Sequence, residues 1–130
     1  MTKNKNKGII TPNGVILQAH ELATVVFFTE LGYDIELIPK SNTEGVHKPD
    51  IKMDGLEWEI KSPKGDGKWV ISNIMKKAKR QSENLIVDLR RSKLPQDKSI
   101  SLLTREFEHS KRLKRMKIIT KSRNLLDFTK

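Results

Sequence analysis

Asp50, Glu59 and Lys61 are the residues of this 130-residue chain whose types and spacing point most directly to chemistry. They lie in PDIKMDGLEWEIKSPKG, residues 49–65, where charged and apolar residues alternate on both sides of Asp54-Gly55. Asp-Gly between alternating segments signals a two-residue hairpin turn. That turn sets Met53 opposite Leu56, Lys52 opposite Glu57, Ile51 opposite Trp58 and Asp50 opposite Glu59. Strand periodicity puts Lys61 on the face of Glu59, and Ile51, Met53, Leu56, Trp58 and Ile60 on the core face. Lys52 with Glu57 reads as a surface ion pair. Asp50 with Glu59 does not, because like charges directly opposite destabilise a sheet. A divalent cation between the two carboxylates reverses that sign. Oxygen ligands suit Mg²⁺ or Mn²⁺, with Zn²⁺ the third ion considered. Lys61 beside such an ion would orient or deprotonate a water, or steady charge building on a phosphate. Those are the parts of a phosphodiester hydrolase.

A third acid would complete the pocket, and Glu21 is the candidate. It shares a helical face with Leu17, Thr24, Val25 and Phe28. A carboxylate bordering an apolar face is costly unless paired or facing a metal. Its other reading is a rim residue that reaches solvent or pairs with Lys61.

The elements that must position these residues follow from periodicity and punctuation. Thr11-Pro12 suggests a helix start, and apolar spacing continues from Val15 to Leu31 until Gly32. Tyr33–Pro39 alternates as a strand, and residues 40–48 form a polar loop. The hairpin comes next, then the glycine-bearing loop 62–68. Trp69 to Ser82 has helical spacing, and Leu85 to Leu89 is a short apolar strand. Residues 90–97 form a loop, and Ser99 to about Arg115 a basic helix. Met116–Thr120 and Leu125–Phe128 close the chain as a hairpin around Ser122-Arg123-Asn124. The order is helix, three strands, helix, strand, helix, two strands. This predicts an α/β fold with a mixed central sheet flanked by helices, formed by one domain over 13–130 behind a mobile basic tail, 1–12.

The formal net charge is +10, with 26 Lys and Arg against 16 Asp and Glu. An excess of that size points to a polyanionic partner, above all nucleic acid. Cysteine is absent, so disulfides and thiolate metal sites are excluded. No apolar run is long enough for a membrane span. The chain reads as acting in a cytosol, or as a fragment delivered by signals that lie elsewhere.

Pro49-Asp50, eight residues, then Glu59-Ile60-Lys61 has the form of the PD-(D/E)xK nuclease motif, and the element order over 13–90 resembles its restriction-endonuclease-like core. The resemblance implies that Asp50 and Glu59 bind the metal, Lys61 assists the water and Glu21 is the helix acid. A closer likeness extends over 15–128. HKPDIKMDGLEWEIKSPKG, KKAKRQSENLIVDLRRSKLP and KIITKSRNLLDF resemble the C-terminal tRNA-nuclease toxin domains of contact-dependent inhibition (CdiA-type) proteins. Such a relationship implies a metal-dependent nuclease acting on tRNA in the cytoplasm of a target cell, neutralised by an acidic immunity protein. DNA is the other substrate class the superfamily allows.

Further contacts to substrate are expected from Ser62, Lys77, Gln81, Arg90 and Arg91. Lys77 and Gln81 share a helical face, and Arg90, Arg91 and Lys93 follow a strand end. Arg105, Lys111, Arg112, Lys114 and Arg115 are suited to positioning phosphates. Trp69 is expected in the core, because aromatic residues usually bury; base stacking is its alternative. His20, His47 and His109 lack metal-ligand spacing. Two other function classes stay open. One is a metal-free RNase using His47, His109 and Lys61. The other is a nucleic-acid-binding module without chemistry.

Overall fold

The computed structural model describes residues 6–130. The five residues before them, part of the expected basic tail, lie outside the described residues. Ten elements follow in chain order: β1 (Ile10–Thr11), α1 (Ala19–Glu30), β2 (Ile35–Leu37), β3 (Ile51–Met53), β4 (Leu56–Lys61), α2 (Val70–Gln81), β5 (Asn84–Asp88), α3 (Gln96–His109), β6 (Arg115–Ile119) and β7 (Leu125–Thr129). The sheet has seven strands, and their order in it is the chain order. Pairings β1–β2, β4–β5 and β5–β6 are parallel, and the rest are antiparallel. The mixed α/β fold is the one expected from the sequence, with β1 added in front.

The chain forms two compact units, one through Trp58 and one from Glu59 to Lys130. In the first, Val25, Phe28, Ile35, Leu37, Ile51, Met53 and Trp58 are buried. Alternation sets which residues of the short strands face inward: Ile35 and Leu37 are buried and Glu36 is exposed, while Ile51 and Met53 are buried and Lys52 is exposed. The hairpin register is the one the turn predicts: Ile51 with Trp58, Lys52 with Glu57 and Met53 with Leu56. Asp54 and Gly55 both have positive φ, 55° and 76°, as the favoured two-residue turn requires. The buried Trp58 indole donates Nε1–H to the Met53 carbonyl at 3.1 Å, which satisfies its polar edge.

Two expectations fail in this unit. Helix α1 starts at Ala19 and not near Val15. Asn13 and Gly14 take positive φ, and the Val15 N–H closes a turn onto the Pro12 carbonyl at 2.9 Å. Asn-Gly turn chemistry therefore wins over the Thr-Pro helix signal. Residues 8–11 are also not a loose tail. The Gly8 N–H donates to the Thr29 carbonyl at 2.7 Å, and Ile10–Thr11 pairs with Ile35–Glu36. A Cβ at Gly8 would sit 1.8 Å from the Tyr33 carbonyl oxygen, so only glycine allows this approach. A two-residue strand carries too little periodicity to be seen in sequence.

In the second unit, α2 and α3 are the crossovers of two parallel strand pairs. One cluster forms the core there, including Ile71, Met75, Leu85, Val87, Leu103, Phe107, Met116 and Ile118. Helix α3 spans Gln96–His109, so it begins and ends earlier than the basic pattern suggests. Lysine and arginine are good helix formers, and a basic run does not mark where a helix stops. The stop comes from Ser110, whose backbone is extended and whose Oγ accepts the Leu113 N–H at 3.1 Å.

Lys79 of α2 donates to Glu106 of α3 at 2.8 Å. This hydrogen bond and the nearby ammonium charge hold the Glu106 carboxyl below its ordinary pKa, against the opposing effect of burial. A depressed folded-state pKa stabilises the fold above the unfolded value, about 4.3, and that contribution is lost as pH falls through the folded value. Lys79→Gln is therefore expected to lower stability by up to about 1 kcal/mol at neutral pH, the scale of a partly exposed pair. Urea midpoints of the variant and wild type should converge as pH falls below the folded-state value of Glu106. A difference that persists there would assign the effect to packing.

Candidate active site

Asp50 immediately precedes β3. Its N–H donates to the Trp58 carbonyl at 3.0 Å and its carbonyl accepts the Ile38 N–H at 3.0 Å, so its backbone is fixed on both sides. The carboxylate is 11% exposed and lies 3.4 Å from the Nζ of Lys40, a side chain 74% exposed. Glu59 follows Trp58 in β4 and is buried. Its Oε2 lies 3.3 Å from Lys61 Nζ, so the two side chains share a face of the strand as period two requires. Glu59 and Lys61 stand in β4 opposite Leu85 and Val87 of the fully buried strand β5. A buried carboxylate is costly without compensation, and Lys61 supplies part of it.

Glu21, the expected third acid, lies in the first turn of α1. Its Oε1 accepts the Gln18 N–H at 2.9 Å in a capping box at the start of α1. Among the described residues, no group of three or more His, Cys, Asp or Glu side chains is placed to hold a metal ion. A Zn²⁺ site asks for three or four protein ligands.

The expected substrate contacts divide. The Ser62 carbonyl accepts Arg91 Nε–H at 3.1 Å and a second guanidinium N–H at 2.8 Å, so Arg91 ties the end of β4 to the segment after β5. Arg90 grips the buried Asp88 carboxylate, its Nη2 at 2.8 Å and Nε at 3.0 Å. Both arginines thus brace the strand ends. Lys77 is exposed. The Gln81 Oε1 is buried and, among the described residues, has no hydrogen-bond partner. His109 Nδ1 contacts the Arg105 carbonyl of its own helix at 2.8 Å.

Two features escaped the sequence reading. Asp88, an acid ending an apolar strand, is 3% exposed. Its signal was the arginine two residues later. Trp69, expected in the core, is 62% exposed. It sits at the N-cap of α2, directly after Lys68.

The sequence from residue 47 to 125, more than half of the chain, matches the model of the contact-dependent growth inhibition CdiA C-terminal domain. The chain belongs to this family. The CdiA C-terminal domain assignment makes it a toxin domain of contact-dependent growth inhibition. A search of curated proteins finds no match. Among solved structures, the chain is similar to one in a CdiA-CT/CdiI toxin and immunity complex from Burkholderia pseudomallei, with 16% identity and a TM-score of 0.69. The likeness covers 95% of this chain and 100% of that one, and shows a shared fold. Among the described residues no helix is long and apolar enough to cross a membrane.

Proposed function

We propose that this CdiA C-terminal domain is a metal-dependent endonuclease of the PD-(D/E)xK kind that cleaves tRNA inside a target cell. The reading is supported by the buried Glu59 with Lys61 Nζ at 3.3 Å on one face of β4, and by a β3–β4 register observed from Met53–Leu56 to Ile51–Trp58, one step short of the expected Asp50–Glu59 pair. Asp50 and Glu59 are the metal carboxylates of this proposal. A divalent cation there would supply Lewis-acid charge at the scissile phosphate. Lys61, held by Glu59 at 3.3 Å, donates to the phosphate oxygens as charge builds on them, or orients the attacking water. The net charge of +10 favours a polyanion and gives binding that weakens with salt. Acids at a phosphate-binding face repel substrate unless a cation is present, which sets a binding module without chemistry behind this reading. DNA cleavage by the same residues is the second substrate class. An acidic immunity protein would complement the same surplus of positive charge.

Induced expression of the chain inside a cell tests the proposal. Wild type is expected to arrest growth and to leave shortened tRNA on a denaturing gel, with chromosomal DNA intact. Asp50→Ala is expected to relieve both effects at equal protein level. Growth arrest that survives Asp50→Ala would sink the assignment, and broken DNA with intact tRNA would move it to a DNase.

A further inference from the structure

We propose that a groove formed by the start of α2 and one face of α3 is a subsite for an unpaired nucleobase and the phosphates beside it. The groove, about 650 Å³, is lined by Asp66, Lys68, Trp69, Lys98, Leu102 and Arg105, among others. This rests on the reading of nucleic acid as substrate and adds a place on the surface where it is held.

The chain has two tryptophans, and they are treated oppositely. Trp58 is 2% exposed and Trp69 is 62% exposed. Leaving an indole in water forgoes much of the stabilisation that burial gives a large aromatic. Lys68 Nζ stands 5.2 Å from the centre of the Trp69 ring and covers it in a cation–π contact. Lys98 and Arg105 are seven residues apart on α3, two helical turns or about 10.5 Å, and both line the groove. Lys68, Lys98 and Arg105 thus line the same groove as Trp69, with one carboxylate, Asp66. A nucleobase offers a flat π-face and its backbone offers negative charge on both sides, which is the combination used to bind single strands. A base stacked on Trp69 would displace the Lys68 ammonium from the ring and free it for a phosphate. An acidic peptide would satisfy the cations and leave the indole without a partner.

The groove lies wholly within the unit from Glu59 to Lys130 and shares no residue with Asp50, Glu59 or Lys61. The two assignments can therefore fail separately. The probe is a short single-stranded oligoribonucleotide of mixed sequence, titrated into Glu59→Gln protein to suppress cleavage. Tryptophan emission is expected to quench in a saturable way, with the buried Trp58 reporting an intact fold. Trp69→Ala should weaken binding by about tenfold or more, the scale of one lost stacking contact. Trp69→Phe should recover part of it. Lys98→Gln should lower the slope of log K against log salt by about 0.7, the share of one phosphate on a single strand. Unchanged affinity in Trp69→Ala, absence of any binding, or equal quenching by polyglutamate would each overturn the proposal. Trp69-dependent binding in a chain that cleaves nothing would leave the subsite standing and remove the catalytic reading.

Discussion

Glu59→Gln is expected to cut phosphodiester cleavage by about 10²–10³-fold, the scale of losing one preorganised electrostatic group in a transition state. The substitution keeps the shape of the side chain and removes its charge. Glu59 is 4% exposed, so its environment acts on that charge with little screening by water. The Lys61 ammonium loses its partner at 3.3 Å, but its side chain is 18% exposed and can turn toward solvent. The fold should therefore survive. Circular dichroism and the urea midpoint should stay close to wild type while cleavage disappears. Retained activity would show that the buried carboxylate serves the sheet and not the chemistry.

Leu103→Ala is expected to have the second large effect, a loss of about 2–5 kcal/mol of stability. Leu103 lies on α3, is fully buried, and belongs to the cluster that contains Met75, Leu85 and Met116. Truncation removes transfer free energy and leaves a cavity that surrounding β5 and β6 side chains fill only in part. Leu22 on α1 is the matched control, being 45% exposed. Leu22→Ala should change stability by less than about 0.5 kcal/mol. Urea unfolding of both variants checks the contrast, and similar small changes would contradict the packing of α3 against the sheet.

What could be read from sequence depended on how local its cause was. The β3–β4 hairpin was legible because Asp54-Gly55 and the alternation around it are local signals that agree. The closing β6–β7 hairpin was legible for the same reason, with Met116 paired to Phe128 and Ile118 to Leu126. Helix α1 was misjudged at its start because two local signals competed, and Asn13-Gly14 prevailed. Strand β1 exists through pairing with β2, a partner more than twenty residues away. Lys117 shows the same limit from the other side. Lysine rarely buries, yet this one is 6% exposed in β6 and lies 2.7 Å from Asp127 of β7. Cross-strand register supplies the partner, and register is not visible in a lone lysine.

The candidate site divides along similar lines. The shared face of Glu59 and Lys61 follows from period two and appears in the structure. The capping bond of Glu21 depends on where α1 begins, and the misplaced start concealed it. Charge and a place after a strand end make Arg90 and Arg91 expected substrate contacts. Their geometry also gives them protein partners that sequence does not show, Asp88 and the Ser62 carbonyl. Trp69 was assigned to the core by its type, and tertiary placement left it in water.

Cleavage of total tRNA by purified wild type and Glu59→Gln, each in Mg²⁺ and in EDTA, tests the central claim most directly. The expected result is discrete tRNA fragments from wild type in Mg²⁺ alone, with none in EDTA and none from the variant. Fragments that persist in EDTA, or that Glu59→Gln produces at the wild-type rate, would contradict a metal-dependent site on β4.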